Sequence, residues 1–84
     1  MPRRASRTVA ARIHRLTGQL EAIEKMLIQR RNCSDVLAQI GAVRAGIEQV
    51  ALIVFQTELQ KMQRAKKYSP EEIEQLSQAL NKSL

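Results

Sequence analysis

A chain of 84 residues is one domain at most, and too short to bury a large core by itself. Its 14 Lys and Arg against 8 Asp and Glu give a formal charge of +6 and an isoelectric point near 10.3, a balance that favours a polyanionic partner such as nucleic acid or an acidic membrane surface. With one Phe, one Tyr and no Trp the core must be aliphatic, and there is little for bases to stack on, which argues against a single-stranded RNA module.

The chain begins MPRRASRTVAAR, a basic run without the apolar core of a secretory signal, and no segment is expected to approach the length of a membrane span. The single cysteine rules out an intramolecular disulfide and fits a reducing, cytoplasmic setting. A first helix is expected over roughly residues 6–30. Its Val9, Ile13, Leu16, Leu20, Ile23 and Leu27 recur at alternating steps of four and three, a heptad-like seam suited to nearly parallel or antiparallel helix packing. A second helix follows over roughly 33–66, with Val36, Ile40, Val43, Ile47, Val50 and Val54 on one stripe and Leu52, Phe55, Leu59 and Met62 on another. A helix apolar on two sides is buried on two sides, and one short partner helix cannot cover both. Other subunits are therefore required. Gly41 and Gly46 inside this helix each cost roughly 1 kcal/mol relative to Ala, which leaves close backbone approach and simple tolerance as the two readings. Ser69-Pro70-Glu71-Glu72 opens a third helix, roughly 70–82, whose apolar edge is Ile73, Leu76 and Leu80.

Cys33 is the most informative residue. Asn32 is a suitable N-cap for the second helix, and Asp35 is placed to return a hydrogen bond in a capping box. Cys33 then falls in the first turn, near the positive end of the helix dipole and beside Arg30 and Arg31. Electropositive surroundings of that kind make cysteines reactive, although Asp35 opposes the effect. By itself a lone cysteine is more often a small buried hydrophobe.

Residues 12–19, RIHRLTGQ, then Cys33, Gln39-Ile40 and Ala42-Val43-Arg44-Ala45 together resemble the CsoR/RcnR/FrmR family of bacterial metal- and formaldehyde-sensing transcriptional repressors. The spacing fits without a gap, and the resemblance spans nearly the whole chain. It implies an all-α, three-helix subunit that forms antiparallel helix-bundle dimers, pairing in turn into a disc-shaped tetramer. Residues 1–84 would then be a single DNA-binding repressor domain acting on double-stranded operator DNA.

The charge pattern agrees with that expectation. Arg3, Arg4, Arg7, Arg12 and Arg15 precede the first acidic residue, Glu21, and Lys61, Arg64, Lys66 and Lys67 close the second helix. Arginine suits phosphate and base-edge contacts, although a basic run is often only a solvated face. The resemblance places Arg12, Arg15 and Arg44 on the DNA-binding surface. For Arg44 an ion pair with Glu48 at i+4 is an equal reading.

In metal sensors of the family, the ligand 25 residues after the first cysteine is usually His, and another His or Cys follows four residues later. Here those positions are Glu58 and Met62. A carboxylate is a poor ligand for Cu(I), so no metal site is expected; the alternative is an atypical Cys33, Glu58, Met62 site for Cu(I) or Ni/Co. His14 lies within the basic stretch, away from the family's amino-terminal ligand position. The formaldehyde-sensing branch joins an N-terminal proline to the cysteine by a methylene bridge. Pro2 and Cys33 match those two positions, although the arm is shorter than expected and Glu58 replaces the usual His. The leading expectation is a repressor that senses a small electrophile such as formaldehyde through Pro2 and Cys33, with no cofactor. A constitutive nucleoid-type or scaffold protein is the alternative from another class. No catalytic constellation is present, so an enzyme is not expected.

Overall fold

The computed structural model describes residues 3–67 and 69–84, with side chains from Arg7 onward. Helix α1 covers Arg3–Ile28, α2 Cys33–Ala65 and α3 Pro70–Ser83, and no strand occurs among the described residues. The all-α, three-helix expectation holds, with the starts of α2 and α3 as expected and the other ends displaced by one to three residues. The α1 helix stops early because Arg30 takes a left-handed conformation at φ 56. The Arg31 amide then reaches the Met26 carbonyl (2.9 Å) and the Arg30 amide the Leu27 carbonyl (3.2 Å), satisfying the last carbonyls of the helix. Lys66 (φ 53) ends α2 in the same way, with the Lys67 amide on the Met62 carbonyl at 3.1 Å. Neither stop uses the glycine that this geometry favours.

Asn32 caps α2 as expected, but its partner is Ser34 rather than Asp35. The Asn32 side-chain oxygen accepts from the Ser34 amide (2.9 Å) and from the Ser34 hydroxyl (2.8 Å). This short side chain reaches the second helical amide, and the Ser34 hydroxyl uses its remaining acceptor capacity. At α3 the Ser69 hydroxyl oxygen accepts from the Glu72 amide (3.4 Å), with Pro70 at the first helical position.

A four-residue turn folds α1 back along α2. Ile23 packs with Val36 and Val43, flanked by Leu16 and Met26, and Val9 is buried further along. At Gly46 an added Cβ would lie 2.6 Å from a Leu16 methyl, so the Leu16 side chain packs directly over this glycine; at Gly41 a Cβ would meet nothing within 4 Å. Close approach therefore explains Gly46, and tolerance explains Gly41. The α3 helix packs on α2 through its half-buried Ile73, Leu76 and Leu80.

Burial divides the heptad pattern. On α1, Val9, Leu16 and Ile23 turn inward, while Ile13, Leu20 (54% exposed) and Leu27 face out. On α2, Val36, Val43 and Thr57 are buried and Val50 half-buried, while Ile40, Ile47 (52% exposed) and Val54 face out. No described side chain is fully buried. The radius of gyration is 16.6 Å, against about 12 Å for a compact chain of this length. The subunit is thus an open plate, 53 × 26 × 12 Å, with half of each seam uncovered.

The membrane-span expectation needs correction. Over 18 residues α2 reaches a mean hydropathy of 1.4, so by length and composition it could cross a bilayer. Two apolar stripes on one 33-residue helix produce that value, and a helix covered on two sides by protein meets the same criterion.

Covering the exposed stripe should be a condition for folding. Sedimentation at micromolar concentration should find the wild-type chain self-associated, and Ile47→Asp should weaken that association by roughly a hundredfold or more, with loss of helicity. A folded, monomeric wild-type chain would contradict this packing argument.

Candidate nucleic-acid interface and effector site

Amphipathicity decides where the arginines go. With the apolar stripe of α1 turned toward α2 and toward the open seam, the opposite face is left for polar residues. Arg7 and Arg15 are exposed there, and Arg12 is half-buried at the edge of the stripe. Arg3 and Arg4 occupy the first turn of the same helix. From Arg3 to Arg15 the helix rises about 18 Å, enough to follow several phosphates along a duplex. Arg12 and Arg15 line one recess with Leu16, Gln19 and Gly46, so the contact of Leu16 with Gly46 lies beside them. His14 is exposed beside this basic face.

Arg44 does not join this group. Its Nε lies 3.6 Å from Glu48 Oε1, and it borders a different recess with Leu20, Ile40 and Ile47. Two residues separate Arg44 from Gly46, more than half a turn around α2. The i+4 ion pair is therefore present, on a face apart from Arg12 and Arg15. Because α1 and α2 run antiparallel, the start of α1 and the end of α2 share one end of the hairpin. There Lys61, Arg64, Lys66 and Lys67, all exposed, add to the positive charge.

Cys33 is exposed, at the other end of that hairpin. The unbroken α2 helix holds it far from Glu58 and Met62: 25 residues at 1.5 Å each set Cys33 and Glu58 about 37 Å apart. One subunit cannot bring these three together, and no group of three or more His, Cys, Asp or Glu residues suited to a metal occurs among the described residues. Glu58 and Met62, both half-buried, share a recess of about 270 Å³ with Glu72, Gln75 and Leu76 of α3. Sequence reasoning missed Glu72 and Gln75. Their only signal was the acidic first turn of α3, which capping explains equally well. The donors at this recess are two carboxylates and a thioether, a mixture of hard and soft ligands that suits no one ion well. Pro2 lies outside the described residues; Arg3, which follows it, stands near the level of Glu58 in the α1–α2 register.

The chain belongs to the metal-sensitive transcriptional repressor family, whose model matches residues 5–82. The family is one of repressors and not of enzymes. An uncharacterized protein in the bioA 5′ region of Serratia marcescens is 33% identical over 72 residues, covering 86% of this chain and 79% of that protein. The copper-sensing transcriptional repressor CsoR of Bacillus subtilis is 41% identical over 44 residues, 52% of this chain and 44% of that one. The copper-sensing transcriptional repressor RicR of Mycobacterium tuberculosis is 42% identical over 43 residues, 51% of this chain and 45% of that one. The chain thus spans under half the length of these two copper sensors. No solved structure matches it significantly.

If the outer face of α1 meets phosphate, replacing Arg12 and Arg15 together by Ala should weaken operator binding and leave helicity intact. The log-log salt dependence should flatten by roughly one unit for each phosphate that is no longer neutralised. Binding titrations between low and moderate salt would measure it, and an unchanged slope would show these arginines to be ordinary surface residues.

Proposed function

We propose that this protein is a cytoplasmic, homo-oligomeric repressor that binds double-stranded operator DNA through Arg7, Arg12 and Arg15, with Arg3 and Arg4 in the same helix. Chemistry at Cys33 releases it. The observation that carries this reading is the symmetry of the exposed stripe Ile40, Ile47, Val54 about its middle residue. Two α2 helices paired antiparallel about Ile47 set Ile40 against Val54 of a second copy. The same pairing brings Cys33 within about one helical turn of the second copy's Glu58 and Met62. At 3.6 residues per turn all three fall on the same flank of the stripe, so thiol, carboxylate and thioether face one another.

An electrophile of the formaldehyde class is the effector of the leading reading, because Cys33 is an exposed thiol. The start of α1 stands near the level of Glu58, so antiparallel pairing would set the first turn of α1 toward Cys33 of the other copy; the amine this reading uses is that of Pro2, freed by loss of Met1. Secondary amine and formaldehyde condense, and the carbonyl oxygen leaves as water to give an iminium ion. The Cys33 thiolate then adds to its carbon. One C–N and one C–S bond form, the thiol and amine protons leave with the oxygen as water, and nothing is oxidised or reduced. Such a bridge would tie the arginine-bearing end of α1 to the neighbouring subunit. It needs to favour the non-binding conformation by only a few kcal/mol to shift operator occupancy substantially.

The copper-sensing relatives favour a second reading, in which Cys33 of one copy and Met62 of another hold Cu(I). Thiolate and thioether suit that ion; Glu58 and Glu72 do not.

Operator binding measured with formaldehyde and with Cu(I) separates the two. Under the leading reading formaldehyde releases DNA, Cys33→Ser abolishes the response while retaining repression, and intact-mass analysis finds one methylene bridge between Pro2 and Cys33. Release by Cu(I), lost in Met62→Leu, would put the metal reading first. Adducts confined to lysines would refute the bridge.

A further inference from the structure

The flank of the exposed stripe on α2 carries the Arg44–Glu48 ion pair. Arg44 and Glu48 are the only charged residues between Asp35 and Glu58. They border an open trough of about 410 Å³ that runs from Leu20 and Ile23 of α1 across Ile40 and Ile47 to Ser83 and Leu84 at the end of α3. Within the subunit the pair is loose: Nε to Oε1 is 3.6 Å, and the Arg44 side chain is 74% exposed. That is beyond the 2.7–2.9 Å of a strong charge-assisted hydrogen bond.

We infer that Arg44 and Glu48 exchange partners when two copies meet, forming a reciprocal pair of ion bridges across an antiparallel α2–α2 interface. The inference rests on the pairing about Ile47 described above. In that pairing residue 44 comes level with residue 50 of the second copy, and residue 48 with residue 46. Arg44 and the second copy's Glu48 are thus two residues out of level, about 3 Å along the axis, well within the reach of an arginine side chain. A two-fold axis perpendicular to both helices keeps equivalent flanks on the same side of the seam, so each Arg44 meets the other copy's Glu48. The occupant of the trough is thereby a second copy of this chain. Its apolar stripe fills the floor, and its charges are complementary to the rim because the rim is self-complementary.

Phosphate is the competing partner for Arg44. The adjacent Glu48 carboxylate repels an anion, and the apolar trough offers a duplex nothing. The face used by Arg12 and Arg15 lies around the helix on the Gly46 side. Arg44 thus sets the register of assembly rather than reading DNA.

Mixing experiments separate an intersubunit pair from the intrahelical one. Arg44→Glu gives four clustered carboxylates at the seam of its own dimer, and Glu48→Arg gives four guanidinium groups. Each single variant should dissociate at about tenfold higher concentration than wild type at low salt. Equimolar mixing should restore wild-type affinity, with heterodimers in excess over the statistical half when counted by native mass spectrometry. Within each variant chain the two residues carry like charge, so no intrahelical pair can produce this rescue. If either variant fails to fold alone, helicity recovered on mixing reports the same rescue. Wild-type affinity in both singles, or a statistical mixture, would overturn the inference, as would loss of operator affinity in Arg44→Glu with association unchanged. A monomeric wild-type chain would instead remove the pairing about Ile47 itself.

Discussion

A four-residue turn between two long helices governs the whole molecule. It lays α1 against α2 so that Leu16 and Ile23 meet Val36 and Val43, with Val9 buried and Val50 half-buried along the same halves of the two stripes. The other half, Ile13, Leu20 and Leu27 on one helix and Ile40, Ile47 and Val54 on the other, has nothing in the chain to cover it. The α3 helix only borders that half of α2: Leu76 and Leu80 share a recess with Val54, and Ser83 and Leu84 edge the trough of Ile40 and Ile47, yet all three stripe residues stay exposed. A second copy is the partner whose stripe has the same period. On the proposed reading association is part of folding, and the effector site is a consequence of association.

In the proposed assembly the chemistry is divided between subunits. A rigid 33-residue helix keeps Cys33 at one end and Glu58 and Met62 near the other, and no motion short of breaking the helix joins them. The proposed antiparallel pairing would join them at no conformational cost, twice per dimer. It would also set the proposed effector site beside the first turns of α1, which hold the arginines. A change at Cys33 would then be transmitted through one helix, with the Leu16 side chain over Gly46 as the contact beside Arg12 and Arg15. Coupling of this kind needs a differential stabilisation of a few kcal/mol between two packings, not a large movement.

Much of this was legible in the residues. The heptad seam, the Asn32 and Ser69 caps, the proline start of α3 and the need for further subunits all follow from spacing and composition. Which half of the seam turns inward was not legible, because inward and outward positions are equally apolar and only the turn decides. The helix stops at Arg30 and Lys66 were hidden for a similar reason: both use left-handed residues that are not glycine, so the usual C-terminal signal is missing. The two-sided apolar character of α2 was plain, but the bilayer-like hydropathy that results emerges only when both stripes are summed over one unbroken helix. At the effector site, Glu58 and Met62 came from a resemblance, and Glu72 became visible only when α3 was seen to close their recess.

The pairing about Ile47 is the central claim, and a cross-link tests it directly. In a Met62→Cys variant the two thiols of one chain are about 43 Å apart along the helix, so no disulfide can close within the subunit. Mild oxidation should nevertheless give a covalent dimer in high yield, with peptide mapping finding Cys33 joined to the new Cys at position 62. A Gln56→Cys control, exposed on the opposite face of α2 from Ile47, should not cross-link to Cys33. Failure of the position-62 variant to cross-link, or linkage only between two Cys33 residues, would contradict the account.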